Sequence, residues 1–111
     1  MRQTFKEKNH LIDTHTAVAL SAALRYMNDY KAENKMLVVS TATPYKFARD
    51  TLSCVFGETA DDESAVKVLH ELSGVDIPMP IKALYGKPVL HTDIVEKEQM
   101  WQSTLEFVNK F

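Results

Sequence analysis

The stretch Met36-Leu-Val-Val-Ser-Thr-Ala-Thr-Pro-Tyr-Lys-Phe47 decides how the rest of the chain is read. Met36 to Val39 is a short, unbroken apolar run, the pattern of a strand buried on both faces. Ser40, Thr41, Ala42 and Thr43 are small, and three of them carry hydroxyls. Pro44 suits the first turn of a helix, where its missing N–H costs nothing. The reading is therefore strand, tight turn, helix. In α/β proteins ligands gather at the carboxyl ends of such strands, and Thr41 stands there with a hydroxyl able to donate and to accept. A doubly buried strand needs a neighbour on each edge. The chain supplies no second convincing strand, which predicts either a piece of a larger sheet or pairing with another copy.

Outward from this stretch, helices dominate. Met1–Asn9 is charged and reads as a short helix or a frayed end. Asp13 and Thr14 are N-cap residue types, and a helix is predicted over His15–Tyr30. Its stripe of Leu20, Ala23, Leu24 and Met27, with Ala17, Val18, Ala19 and Ala22 around it, suits a helix buried between layers. A second helix is expected over Pro44–Phe56, with Gly57 as its C-cap, and a third over Asp62–Ser73, ended by Gly74. Asp61, Asp62 and Glu63 put negative charge at the positive end of that third helix. Pro78 and Pro80 hold Val75–Leu84 on an extended path, and Pro88–His91 reads as a short strand or extended edge. A fourth helix, capped by Thr92 or Asp93 with Asp93 and Glu96 at capping-box spacing, turns Trp101, Leu105 and Val108 inward. The fold class expected is α/β, helix-dominated: one central buried strand with about four helices, in a single domain over residues 1–111.

Composition narrows the function. With 111 residues, 45% of them hydrophobic, the chain is long enough for one core. The net charge of −2 and the interspersed signs argue against nucleic acid. No apolar run approaches the roughly 20 residues of a membrane span, and the first residues lack the apolar core of a signal peptide. A single cysteine, Cys54, rules out an internal disulfide framework and fits a reducing cytosol, so a cytoplasmic location is expected. Cys54 lies inside the second helix, away from the N-terminal position that lowers a thiol's pKa, and reads as structural.

No complete active site assembles from the residues alone. Ser40 and Thr41 either contact a ligand or satisfy the turn and the following helix, and Thr43 is the N-cap. His15 either receives an anion at the start of its helix or simply packs there. His10, His70 and His91 have no zinc-ligand spacing to one another or to Cys54, so no metal site is predicted. The three glycines, 57, 74 and 86, build no phosphate loop.

Two segments carry a resemblance. Leu11-Ile-Asp-Thr-His-Thr-Ala-Val18 and Val38-Val-Ser-Thr-Ala-Thr-Pro-Tyr-Lys-Phe47 resemble, in order and spacing, segments in the C-terminal part of the threonine synthases, a branch of the fold-type II enzymes that use pyridoxal phosphate. Ile77-Pro-Met-Pro-Ile-Lys-Ala-Leu84 is similar to a third. The match runs from about residue 5 to the end. Thr14 stands where the family usually has proline, and Thr43 and Tyr45 where it often has histidine and alanine. The resemblance implies a PLP-dependent lyase that converts O-phosphohomoserine and water into threonine and phosphate. It implies that the hydroxyl facing the cofactor's pyridine nitrogen is Thr41, with Ser40 beside it and His15 as a substrate-side candidate. Such a neutral partner does not force protonation of that nitrogen, so the ring is a weaker electron sink. The family's Schiff-base lysine and cofactor-phosphate loop match nothing here, and Lys46 belongs to the Pro-Tyr-Lys-Phe segment. The resemblance thus implies a C-terminal fragment of a three-layer αβα domain, inactive alone, whose partner is the missing N-terminal portion. A homodimer through exposed strand edges is expected as well. The alternative from another class is a stand-alone binding or regulatory module on the same scaffold. The plainest is a helical structural domain without a ligand.

Overall fold

A computed structural model describes residues 1–110 of the chain. Six α-helices follow in order: α1 (Arg2–Lys8), α2 (Thr14–Asp29), α3 (Ala48–Phe56), α4 (Asp62–Ser73), α5 (Met79–Lys82) and α6 (Met100–Val108). Short 3-10 turns at Pro44–Phe47 and Lys97–Gln99 lead into α3 and α6. The described residues contain no strand, and the expected α/β class with its central buried strand is overturned. Met36–Val39 is instead an irregular, exposed connection, with Leu37 90% and Val39 65% exposed. The cause is the one the pattern itself raised: a strand without edge partners leaves its N–H and C=O groups unmet, and these groups must then face water. Pro88–His91 likewise forms no strand, and Val89 and Leu90 are exposed.

Helix ends follow side-chain chemistry. Asp13, rather than Thr14, caps α2, and Asp61 caps α4 by accepting from the Ser64 N–H at 2.9 Å. Gly57 and Gly74 close α3 and α4 at φ of +84° and +68°, a region that glycine enters without a Cβ clash. The helix expected over Pro44–Phe56 begins as a 3-10 turn, capped by the Thr43 hydroxyl, which accepts from the Tyr45 N–H at 3.4 Å. Within the proline-rich stretch, Met79–Lys82 winds into one turn of helix, with Pro80 at a tolerated early position. The capping box before α6 is made by Glu96 and Gln99, not by Asp93 and Glu96.

The core lies between α3 and α4 and is closed by α1. Leu52 and Leu69 are fully buried and pack with Leu11, Tyr45, Val55 and Val66. Phe5 of α1 meets Phe56 edge-on, with ring centroids 5.3 Å apart. The Arg2 Nε donates to the Val55 carbonyl at 2.9 Å, satisfying an acceptor near the end of α3. Below, the Val75 carbonyl accepts from the Tyr45 hydroxyl and from His70 Nδ1, the latter at 2.8 Å. Burial raises the Tyr45 pKa, with the Asp76 charge adding to it against a hydrogen bond from Ser73, so the phenol stays a donor.

The remainder is spread out. On α2 only Thr16 is buried, and Leu24 is exposed, so the predicted burial of that helix between layers is not found. On α6, Trp101, Leu105 and Val108 face solvent rather than inward, with Trp101 72% exposed. Both departures share a reason: the described residues form no second layer for those stripes to meet. The radius of gyration is 18.7 Å, against about 13 Å for a compact domain of this length. The surface is 9160 Å² for 12.6 kDa, where a compact monomer exposes about 6,200 Å². About 3,000 Å² is therefore uncovered in excess.

Leu69→Ala is expected to destabilise the α3–α4 core by about 2–5 kcal/mol, while Leu37→Ala shifts stability by less than about 0.5 kcal/mol. Urea unfolding followed by helical circular dichroism checks both.

Candidate functional site

The two segments that carry the resemblance meet at the start of α2. Asp13 has no exposed surface, and its carboxylate accepts from the His15 N–H at 2.9 Å and the Thr16 N–H at 3.3 Å. It also accepts from the Thr16 hydroxyl. Thr16 Oγ1 and Ser40 Oγ share a hydrogen bond of 3.0 Å. A carboxylate only accepts, so the Thr16 proton is committed to Asp13 and Ser40 is the donor in the second bond. This places Ser40 within reach of the first turn of α2, 24 residues earlier in the chain. Thr16 and Asp29 are separated by about 20 Å of helix, so residues 30–40 must run back along α2 to make that bond.

His15 and Phe47 supply a second link, with ring centroids 4.8 Å apart. His15 is 68% exposed, and its Nδ1 lies 3.5 Å from the Asp13 carboxylate and 3.4 Å from the Thr14 hydroxyl. Thr41, the next residue after Ser40, is exposed, and its hydroxyl has no hydrogen-bond partner among the described residues. Ser40, Phe47 and His15 are thus brought together, with Thr41 beside them in the chain. Ser40 turns its hydroxyl to Thr16, whereas that of Thr41 remains available. Thr16 is a residue that the sequence analysis does not single out. Its spacing of three from Asp13 is the signal that identifies it, because a cap residue and the third residue after it face each other.

Burial pushes the Asp13 pKa upward, but hydrogen bonds from the Thr16 hydroxyl and from the His15 and Thr16 N–H groups, with the nearby His15, prevail and hold it below the ordinary value of 3.8. These partners favour the charged form. A depressed folded-state pKa means that the stabilisation is complete above the unfolded pKa of about 3.9 and is lost as pH falls through the lower folded value.

Thr41 is the residue to which the resemblance assigns the ring nitrogen of pyridoxal phosphate, and its hydroxyl is exposed. No cradle for the cofactor phosphate accompanies it: Gly57, Gly74 and Gly86 all sit at positive φ in turns and caps. Lys46 extends over the Phe47 ring, its Nζ 5.6 Å from the centroid. A cleft of about 610 Å³, lined by Tyr45, Lys46, Phe47, Arg49, Asp62 and Tyr85 among others, borders the site at Phe47. Arg49 and Asp62 face each other across it at 3.5 Å, and none of Ser40, Thr41 and His15 lines it. Among the described residues no three His, Cys, Asp or Glu side chains stand close enough to hold a metal ion. Among them, too, no helix is long and apolar enough to cross a membrane. Cys54 is a free thiol on the exposed side of α3.

No known protein-family model and no solved structure matches the chain.

Asp13→Ala is expected to cost α2 about 1 kcal/mol at pH 7, read as roughly fivefold faster hydrogen exchange at the first amides of the helix. The deficit should shrink as pH falls below about 4. Asp13→Asn keeps a capping oxygen without a titrating charge, so it should flatten that pH dependence.

Proposed function

We propose that the chain is the C-terminal portion of a threonine synthase-like, pyridoxal phosphate-dependent enzyme, acting in the cytoplasm. Its role is to supply the Thr41 hydroxyl at the cofactor's ring nitrogen. The observation that carries the reading is the meeting of the two resembling segments: Thr16 bonds Ser40, His15 contacts Phe47, and the adjacent Thr41 hydroxyl is left free. A hydroxyl held for a ligand is expected to be exposed and without an internal partner, and the one on Thr41 is both. Ser40 acts one step back, fixing the path of the chain before Thr41 through its bond to Thr16. His15, exposed at the same helix start, is the group available on the substrate side.

The cofactor, when bound, supplies the electron sink that labilises bonds at the amino-acid α-carbon. The lysine that would attach it and the cradle for its phosphate are assigned to the missing N-terminal portion, so this chain alone is inactive. The uncovered apolar residues of α2 and of the 36–39 connection support that reading, since apolar surface on this scale marks an interaction site.

Mixing the chain with the lysine-bearing N-terminal portion of a threonine synthase and pyridoxal phosphate should restore phosphate release from O-phosphohomoserine. Neither piece alone should release it. Thr41→Val in the mixture should lower the rate about tenfold and alter the cofactor's absorbance. A Thr41→Val mixture with unchanged rate and spectrum would remove Thr41 from the site, and an inactive wild-type mixture would favour the binding or regulatory module instead.

A further inference from the structure

We propose that His15 is a proton-accepting residue of the site and that Asp13 is the residue that positions it. His15 Nδ1 lies 3.5 Å from the Asp13 carboxylate and 3.4 Å from the Thr14 hydroxyl. A carboxylate only accepts, and a hydroxyl is able to accept as well. A hydrogen on Nδ1 therefore suits both neighbours, whereas a bare Nδ1 would set a lone pair against a full negative charge. With Nδ1 so occupied, the neutral ring carries its lone pair on Nε2. That nitrogen has no hydrogen-bond partner among the described residues. Asp13 has no exposed surface and is fixed by bonds from two N–H groups and the Thr16 hydroxyl, so it is a rigid reference for the ring. Phe47 supports the ring from the side, with centroids 4.8 Å apart.

An imidazole oriented by a buried carboxylate, with its second nitrogen open, is the arrangement of a general base. Its place suits the site already described. Thr16, the residue after His15, bonds Ser40, the residue before Thr41. Phe47, on which the ring packs, is also a wall of the cleft of about 610 Å³. Two charged groups face His15. Asp13 does so from the start of its own helix, and Lys46 from the turn before α3, its Nζ over the same Phe47 ring. The use of this base rests on the proposed function, in which water is consumed. There an O–H bond of water breaks, the proton forms Nε2–H, and the electron pair stays on the oxygen that joins the substrate. His15 is thereby assigned a proton rather than an anion, which the Nε2 lone pair would repel.

The tautomer is read on the full chain alone, by nitrogen-15 NMR of the imidazole at about pH 8, where a histidine of ordinary pKa is neutral. The free side chain prefers its hydrogen on Nε2. His15 should instead show it mainly on Nδ1. Asp13→Asn, whose amide donates where the carboxylate accepted, should return it toward Nε2 with the circular dichroism unchanged. A His15 ring with its hydrogen mainly on Nε2 would overturn the proposal. The use of the base is read in the mixture with the lysine-bearing N-terminal portion. His15→Gln should lower kcat about 100-fold with KM nearly unchanged, and should abolish the loss of rate that acid causes by filling Nε2. An unchanged kcat would overturn the catalytic role in an otherwise active mixture. An inactive wild-type mixture would strike the parent reading and this use of His15 with it, while the tautomer result on the chain alone would stand, so the two failures are told apart.

Discussion

The Asp13 carboxylate accepts from two backbone N–H groups and one hydroxyl at the start of α2, and the hydroxyl belongs to Thr16, which in turn receives the proton of Ser40. That short relay does more than end a helix. It returns the chain to its starting point after α2 and the connection that follows, and it sets where the Pro44 turn can begin. Tyr45, the second residue of that turn, then enters the core, with its hydroxyl on Val75. A buried carboxylate would be costly if unpaired. Here each of its bonds also shapes the chain, so its desolvation is offset by contacts that position both resembling segments.

The molecule divides its energetics unevenly. Between α1, α3 and α4 the packing is that of an ordinary small core, with Leu52 and Leu69 sealed and buried Thr51 satisfied by the Pro44 carbonyl. Outside it, α2 and everything beyond α5 hold their secondary structure mainly through local devices: caps, a capping box, and pairs one turn apart such as Gln102 to Glu106. Such devices contribute tenths of a kcal/mol to about one each. They shape a helix without burying its apolar side. The exposed side chains of α2 and α6 are the visible consequence.

Local chemistry made the helices legible in advance. Asp61 with Ser64, Gly57 and Gly74 mark boundaries by mechanisms that need no knowledge of the rest of the fold, and α4 spans the residues its pattern suggests. The 36–39 run failed for the opposite reason. An apolar tetrapeptide states what it would bury, not whether anything is there to bury it, and that information lies in partners far away or outside the chain. The same holds for Trp101, Leu105 and Val108, whose helical spacing is real although none of them is buried. For the site, the hydroxyl-rich Ser40–Thr43 stretch was evident from composition. What composition could not supply was the division of labour, Ser40 inward and Thr41 outward, because that depends on Thr16 reaching across from a helix 24 residues earlier.

A carbonyl oxygen has no hydrogen to give, so the bond from His70 requires the tautomer with its hydrogen on Nδ1. The Val75 carbonyl has two lone pairs, and it takes Tyr45 with one and His70 with the other. A single peptide oxygen thus rivets three stretches of chain: the turn before α3, the last turn of α4 and the segment that leaves it.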